Sequence, residues 1–515
     1  MKLNRITVCQ TQLLLELDTP FDGILTVEEY TPVVHGTPRL LSRQALVFEG
    51  GRARCPRFDG QHDRAFGRFV CLLGQQPLPG ICYVTDFAED AAENRYPYPQ
   101  PDTIKTLVCP YEEGKEFGIK QSRFDVSLPN YMSLTEQENT IPYLFEGQTY
   151  YFYRDSVEQL EYCLAGYEVN TLILLNAPKL FGSRGEKALL DICVHPRYEW
   201  ENPGAFISAF NMTAEAGQKV YGAFVSFLAE RFTRTDKRYG RIGGVIISNE
   251  INLQESWGNA GEMEPAEYVE EYIEAMRLAW ICGRRHYSDF RVYVSLANNW
   301  NDLHPNPRRL YHGRDIIDLL GKLSARDGDF PWHVAFHPYP ESWLPDFWND
   351  RRATFDFATT RITYKNMEVL EAYLAQPQLL YRGTPRRIVF SEQGFNSENG
   401  PLRDLQEKQA AAGYVLEYLK ARGMKTVDMM ANHSYIDNPR EFGLNLGIFR
   451  YDPEKPNHRG EAKPLAEAVR AMDTPAEGMA IAFAREVIDP ALFDYLLHPP
   501  LVCGDPDRSK DIEFG

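Results

Sequence analysis

Apolar and polar residues follow two rhythms along this 515-residue chain, and the rhythm changes near residue 112. Before that point short alternating runs dominate, such as Gln12-Leu13-Leu14-Leu15-Glu16-Leu17 and Gly23-Ile24-Leu25-Thr26-Val27. Thr19-Pro20, Gly36-Thr37-Pro38 and Gly50-Gly51 punctuate them as turns. Period-two alternation with frequent turns predicts short, half-buried strands, and so a β-sandwich-like domain over 1–112. Tyr96-Pro97-Tyr98-Pro99-Gln100-Pro101 reads as a stiff, extended connection.

From about 115 onward continuous apolar runs alternate with amphipathic stretches. The runs predict strands at 117–126, 169–175, 204–210, 243–249, 291–297, 332–338, 386–392 and 426–432. Helices are expected over 214–232, from Pro265 to about His286, and over 405–422. Eight strands with helices between them predict an α/β protein, a (β/α)8 TIM barrel over 113–475. A doubly wound sheet is the alternative, but its Gly-x-Gly-x-x-Gly phosphate turn is absent. A hairpin insertion near 138–155 turns at Glu146-Gly147 and would set Tyr143, Tyr150, Tyr151 and Tyr153 on the barrel rim. Residues 476–515 form a C-terminal extension to which the pattern assigns no role.

A net charge of −17 argues against a nucleic-acid or anionic-membrane surface, since phosphates are bound by lysine and arginine. No run of about 18 apolar residues occurs, so no membrane span is predicted. Met1 to Ile6 leads into a pattern broken by Gln10, Gln12 and Glu16, without the apolar core of a signal peptide. Nine dispersed cysteines without a Cys-x-x-Cys pair predict reduced thiols, and with them a cytoplasmic location. No cofactor is implied. Gly182-Ser183-Arg184-Gly185-Glu186-Lys187 lacks P-loop spacing. His333 and His337 have a metal-like spacing, but on a strand they stand roughly 13 Å apart, too far to share one ion.

The chemistry gathers where the strands end. Gly243-Gly244-Val245-Ile246-Ile247 runs into Asn249-Glu250, and Arg387-Ile388-Val389-Phe390 runs into Glu392. Barrel enzymes collect functional groups at such C-terminal ends, and two carboxylates across one mouth suit glycoside cleavage with retention. Asn249 is placed to bond a sugar hydroxyl. His337 and Tyr339 follow the sixth strand, Asn298, Asn299 and Trp300 the fifth, and His433 and Tyr435 the eighth. Trp257, Trp300, Trp343 and Trp348 offer indole faces to a pyranose, and two of the four are expected to be core instead. Lys120, Arg123 and Arg184 are candidates to meet an acidic sugar, and Lys120 alternatively to form a Schiff base as in barrel aldolases.

An Asn-Glu pair closing the fourth strand, His-x-Tyr near the sixth and a Glu closing the seventh resemble the clan A retaining glycoside hydrolases. Trp332-His333-Val334-Ala335-Phe336-His337-Pro338-Tyr339-Pro340 and Ser391-Glu392-Gln393-Gly394-Phe395 are similar to a bacterial family of clan A-like barrels without assigned function. The resemblance covers about 115–475. It implies Glu250 as acid/base, Glu392 as nucleophile and an oligosaccharide or glycoside as substrate. The chain departs from the commoner pattern in lacking a tryptophan at the end of the eighth strand, where His433 or Tyr435 stands. Transglycosylation, or a carbohydrate-binding barrel without turnover, are the alternative readings.

Overall fold

A computed structural model describes residues 1–179 and 184–501. Gly182 and Ser183 of the loop considered above, and the tail from 502 with Cys503, lie outside the described residues.

The N-terminal region forms two four-stranded sheets. One orders Asp86–Phe87, Leu3–Val8, Gln12–Leu17 and Arg52–Pro56; the other orders Leu40–Phe48, Gly23–Tyr30, Arg68–Leu73 and Gln76–Pro77. The alternation explains the packing: Leu13, Leu15 and Leu17 of one sheet and Leu25 and Val27 of the other all turn into one core.

Eight parallel strands then close into a barrel. They are β1 Lys105–Leu107, β2 Gln121–Ser127, β3 Val169–Leu175, β4 Ile242–Ile247, β5 Arg291–Ala297, β6 Trp332–His337, β7 Ile388–Gln393 and β8 Val427–Asn432. Every residue of β3 and β4 is buried, as strands covered on both faces require. The interior is filled by Ile173, Ile246, Tyr293, Ala335, Val389 and Met429. Outside it lie α1 Glu215–Phe232, α2 Pro265–His286, α3 Gly313–Asp327 and α4 Arg403–Gly423.

Two expected elements differ. The segment 204–210 is no strand: Ser208 makes an isolated bridge to Asn259, and Ile207 caps the barrel interior. The true first strand is β1, whose three residues close the barrel by pairing Lys105 with Met430 and Thr106 with Gln121. Its buried lysine disguised it; the ammonium is satisfied by the carbonyls of Phe117 and Met472 at 2.9 and 2.6 Å. One strand too many and one too few cancel, so Glu250 still follows the fourth strand and Glu392 lies on the seventh.

The hairpin exists, as Thr140–Phe145 and Gln148–Tyr153, but it is not on the rim facing the mouth. Phe152 stacks on Phe227 of α1 at 3.7 Å, and the Tyr143 hydroxyl donates to Glu230 of the same helix. Phe145 meets Phe66 of the β domain. His62 of that domain sits 2.6 Å from Glu146 and 2.8 Å from Glu29. Burial opposes its charge, but the two carboxylates prevail and raise it to about 9. The hairpin is thus a bracket between the two parts. The C-terminal helices Glu477–Val487 and Pro490–Leu497 pack on α4, where the Lys420 ammonium donates to the Leu496 carbonyl at 2.7 Å. Among the described residues no helix is long and apolar enough to cross a membrane.

Gly244 lets β4 lie close against β5, because a Cβ there would stand 2.2 Å from the Arg291 carbonyl oxygen. Gly244→Ala should therefore cost about 1–3 kcal/mol of stability in chemical denaturation, as overpacked cores do. An unchanged midpoint would mean that β4 shifts freely.

Candidate active site

Glu250 is set by a strained turn. Ser248 and Glu250 both adopt left-handed backbone, with φ of 60° and 39°, a conformation that costs a non-glycine residue about 1–3 kcal/mol. The cost is offset by local bonds: the Ser248 hydroxyl donates to the Trp257 carbonyl, and the Glu250 N–H donates to Ser295 Oγ of β5, both at 2.9 Å. The Tyr272 hydroxyl donates to the Ile247 carbonyl just before. The turn directs the Glu250 carboxyl toward β6.

His337, the last residue of β6, has no exposed surface. Its Nδ1 lies 2.9 Å from Glu250 Oε1 and 3.6 Å from Glu392 Oε2, and its Nε2 lies 2.9 Å from Ser391 Oγ. One ring nitrogen therefore stands between the two carboxylates. The two oxygens that flank it are no more than about 6.5 Å apart, which admits the retaining spacing of about 5–5.5 Å.

Glu392 is clamped from the other side. Arg123 of β2 is fully buried, and each of its nitrogens is used. Nε donates to the Ser391 carbonyl at 3.0 Å, Nη1 to Asp125 at 2.7 Å, and Nη2 to Glu392 Oε1 and His433 Nδ1, both at 2.9 Å. The Tyr339 hydroxyl donates to Glu392 Oε2 at 3.5 Å. Burial pushes the Glu392 carboxyl up, but His337, the Arg123 guanidinium and the Tyr339 hydroxyl outweigh it and hold it at about 2.

His433 Nε2 lies 2.6 Å from Glu441 Oε1. Burial opposes charge on this ring, while the carboxylates of Glu441 and Glu392 favour it. An Arg123 N–H already points at Nδ1, however, so this geometry holds the neutral ring with its proton on Nε2.

Asn249 Oδ1, next to Glu250 in the chain, is buried without a hydrogen-bond partner. Trp257 joins Phe206 and Phe442 in a cluster, with ring centroids 5.1 and 6.3 Å away. Trp343, 40% exposed, packs on the Tyr339 ring at 4.4 Å.

The structure thus brings Glu250, Glu392, Asn249, His337, Tyr339 and His433 to one mouth, bordered by Trp257. Other candidates lie elsewhere. Trp300 is core, with no exposed surface and its indole N–H donated to the Phe357 carbonyl. Trp348 packs beside Phe347 against the core. Tyr435 is buried between Phe117 and Phe449 because the chain turns outward after His433. Asn298 is spent on the Tyr339 carbonyl and Arg361. Asn299 offers its backbone carbonyl to Asn252 and Gly313 and braces the loop. Lys120 precedes β2, at the end opposite the carboxylates, and pairs with Asp102 and Glu168, which removes the Schiff-base alternative. Arg184 pairs with Asp155, and Arg123 is too fully engaged to meet an acidic sugar.

Arg123 as the clamp, Ser391 and Glu441 went unrecognised in the sequence. Arg123 had a signal: Gln121, Arg123 and Asp125 alternate along one strand, polar where a barrel strand is otherwise apolar. Glu441, in a loop, had none. Among the described residues no group of three or more His, Cys, Asp or Glu is arranged to hold a metal ion.

Fold and mouth together define a (β/α)8 protein with paired carboxylates at the strand ends. Residues 97–493 match the family of unknown function DUF5722, and the chain belongs to that family. No curated protein matches. Among solved structures it is similar to a family 39 glycoside hydrolase from the gut symbiont Bacteroides cellulosilyticus WH2, at 12% identity and a TM-score of 0.43, over 91% of this chain and 81% of that one. It is similar to a β-glucosidase from Pyrococcus furiosus at 14% identity and a TM-score of 0.43, over 75% and 85% of the two chains. It is also similar to the β-glycosidase of Thermosphaera aggregans, at 13% identity and a TM-score of 0.44, over 75% and 86%.

Because Glu392 titrates near 2 rather than its ordinary 4.5, its ionised form stabilises the fold fully above about 4.5, and that contribution is lost as pH falls toward 2. The stability difference between wild type and Glu392→Gln, read from urea titrations, should stay flat down to about pH 5 and then shrink. A difference independent of pH below that point would contradict the clamp.

Proposed function

We propose that this protein is a retaining glycoside hydrolase acting on an oligosaccharide or glycoside. The observation that carries the reading is the single His337 nitrogen lying within 2.9 and 3.6 Å of two carboxylates in unlike surroundings. Glu392, kept ionised by Arg123 and Tyr339, attacks the anomeric carbon. Glu250 protonates the leaving oxygen and, once ionised, takes a proton from the water that releases the sugar. Atoms balance over the two steps: one glycosidic bond is exchanged for a glycosyl ester, and the ester for a hydroxyl.

Glu250 and His337 share one proton across their 2.9 Å contact. On Nδ1 it makes a carboxylate–imidazolium pair, and on Oε1 an acid–imidazole pair, with the same net charge. The second form is the one able to donate. Nε2 keeps its proton and donates to Ser391 Oγ in both forms, so the ring serves either one without moving. When Glu392 is esterified its charge vanishes, and Glu250 becomes the remaining carboxylate of the pair. Asn249 Oδ1, unpartnered beside the acid, supports a hydroxyl contact to the bound sugar.

The test is a panel of oligosaccharides and aryl glycosides. Wild type should release a first product of retained configuration by proton NMR, and Glu392→Gln should release none. Glu250→Gln should lose about 10²–10⁴-fold on sugars with poor leaving groups and far less on activated aryl glycosides in the first step. Inverted product, or full activity in Glu392→Gln, would overturn the assignment.

A further inference from the structure

The loop that follows β8 carries a carboxylate and an aromatic ring side by side, at Glu441 and Phe442. Its root is rigid. Asp437 is buried and pairs with the equally buried Lys463 at 2.6 Å, and Lys463 also donates to the Asn445 carbonyl at 3.0 Å. Its tip is not packed away. Phe442 is 70% exposed and holds a left-handed backbone with φ of 50°, which a phenylalanine rarely adopts. Its ring stands 5.8 Å from Phe206 and 6.3 Å from Trp257, on the Glu250 side of the mouth. The preceding residue reaches the other way, to His433.

We infer that this loop carries a positioning pair: Glu441 orients His433, and through it Arg123 on Glu392, while Phe442 forms a wall of the leaving-group site. The inference rests on the two-carboxylate reading above for the roles of Glu392 and of the leaving group. Its physical basis is a chain of directed hydrogen bonds. Arg123 Nη2 divides its two protons between Glu392 and His433, and it can do so only while His433 Nδ1 is a bare acceptor. Glu441 enforces that state by accepting the proton on Nε2. Without the carboxylate, the ring is free to carry its proton on Nδ1, where it opposes an Arg123 N–H and turns the guanidinium from the nucleophile. The charged and titratable groups facing Glu392 are Arg123, His337, His433, Tyr339 and Glu250; those facing His433 are Arg123, Glu392 and Glu441. Of these only Glu441 belongs to a surface loop that a ligand at Phe442 would press upon.

The decisive measurement is the His433 tautomer, read from long-range ¹H–¹⁵N spectra of ¹⁵N-histidine-labelled protein, with His433→Asn to assign the signals. Wild type should show the proton on Nε2 at neutral pH. Glu441→Ala should lose that single tautomer, and the acidic limb of its kcat/KM profile should move up by about one unit as Glu392 loses part of its clamp. Glu441→Gln keeps an acceptor oxygen and should restore both. Phe442→Ala should leave the tautomer in place and raise KM for substrates with a sugar leaving group. Glu441→Ala with the wild-type tautomer and acidic limb would overturn the inference, as would Glu441→Gln behaving like Glu441→Ala. The tautomer is read without substrate, so failure of the glycosidase reading and failure of this one are told apart.

Discussion

A guanidinium with no exposed surface organises the mouth of this barrel. An arginine cannot shed its charge, and burying one without partners would cost several kcal/mol. Arg123 is therefore tolerable only because Glu392, Asp125, the Ser391 carbonyl and His433 Nδ1 surround it. Those partners come from β2, β7 and the end of β8, so one side chain dictates how three strand ends approach each other. The same bonds answer two needs at once. They neutralise the arginine, and they keep Glu392 ionised in a place where burial alone would protonate it.

The second constraint is backbone strain opposite that clamp. Ser248 and Glu250 sit in left-handed conformations just past the end of β4, whose Gly243 and Gly244 at the start let the strand lie close to Tyr98 and to β5. The turn persists because Ser295 and the Trp257 carbonyl hold it from both sides. Strain of this kind is seldom retained without a consequence, and here it aims the Glu250 carboxyl at His337 rather than along the strand. Bonds from β5 and from the loop after β4 thus fix where the Glu250 carboxyl points.

Much of this was legible in the chain, and the failures have physical causes. Seven of the eight barrel strands were expected, most of them from apolar runs, because strands buried on both faces are largely apolar; β2, with Gln121, Arg123 and Asp125, is the polar exception. β1 was silent: three residues, one of them a lysine, are too few for a pattern. The run 204–210 imitated a strand because it too is buried, as a cap on the barrel interior. Strand-end residues were readable as a neighbourhood, and Glu250, Glu392, Asn249, His337, Tyr339 and His433 do converge. Direction was not readable once the chain left the strand. Trp300 and Tyr435 lie only a few residues past their strand ends, yet the loops fold back and bury them. Lys120 missed by polarity of the barrel, standing just before its strand instead of after. Glu441 could be found only in three dimensions, since nothing local marks a loop carboxylate that meets a histidine eight residues earlier.

Two chemically identical side chains are thereby given unlike properties by what surrounds them. Glu392 faces a fixed cation, the His337 imidazole and a phenol, all of which favour its charge. Glu250 faces the imidazole alone, across a contact that can hold one proton on either partner. Because His337 touches both carboxylates, the charge of one is felt by the other through the same ring. A change at Glu392 that removed its negative charge would shift the balance at Nδ1, and with it the ease of protonating Glu250. Environments that drive two neighbouring carboxyls apart are what divides acid from nucleophile in such pairs. In this barrel the difference in surroundings follows from position: the fully hydrogen-bonded arginine lies beside Glu392 of β7, and Glu250, with the His337 contact alone, stands on the strained turn at the end of β4.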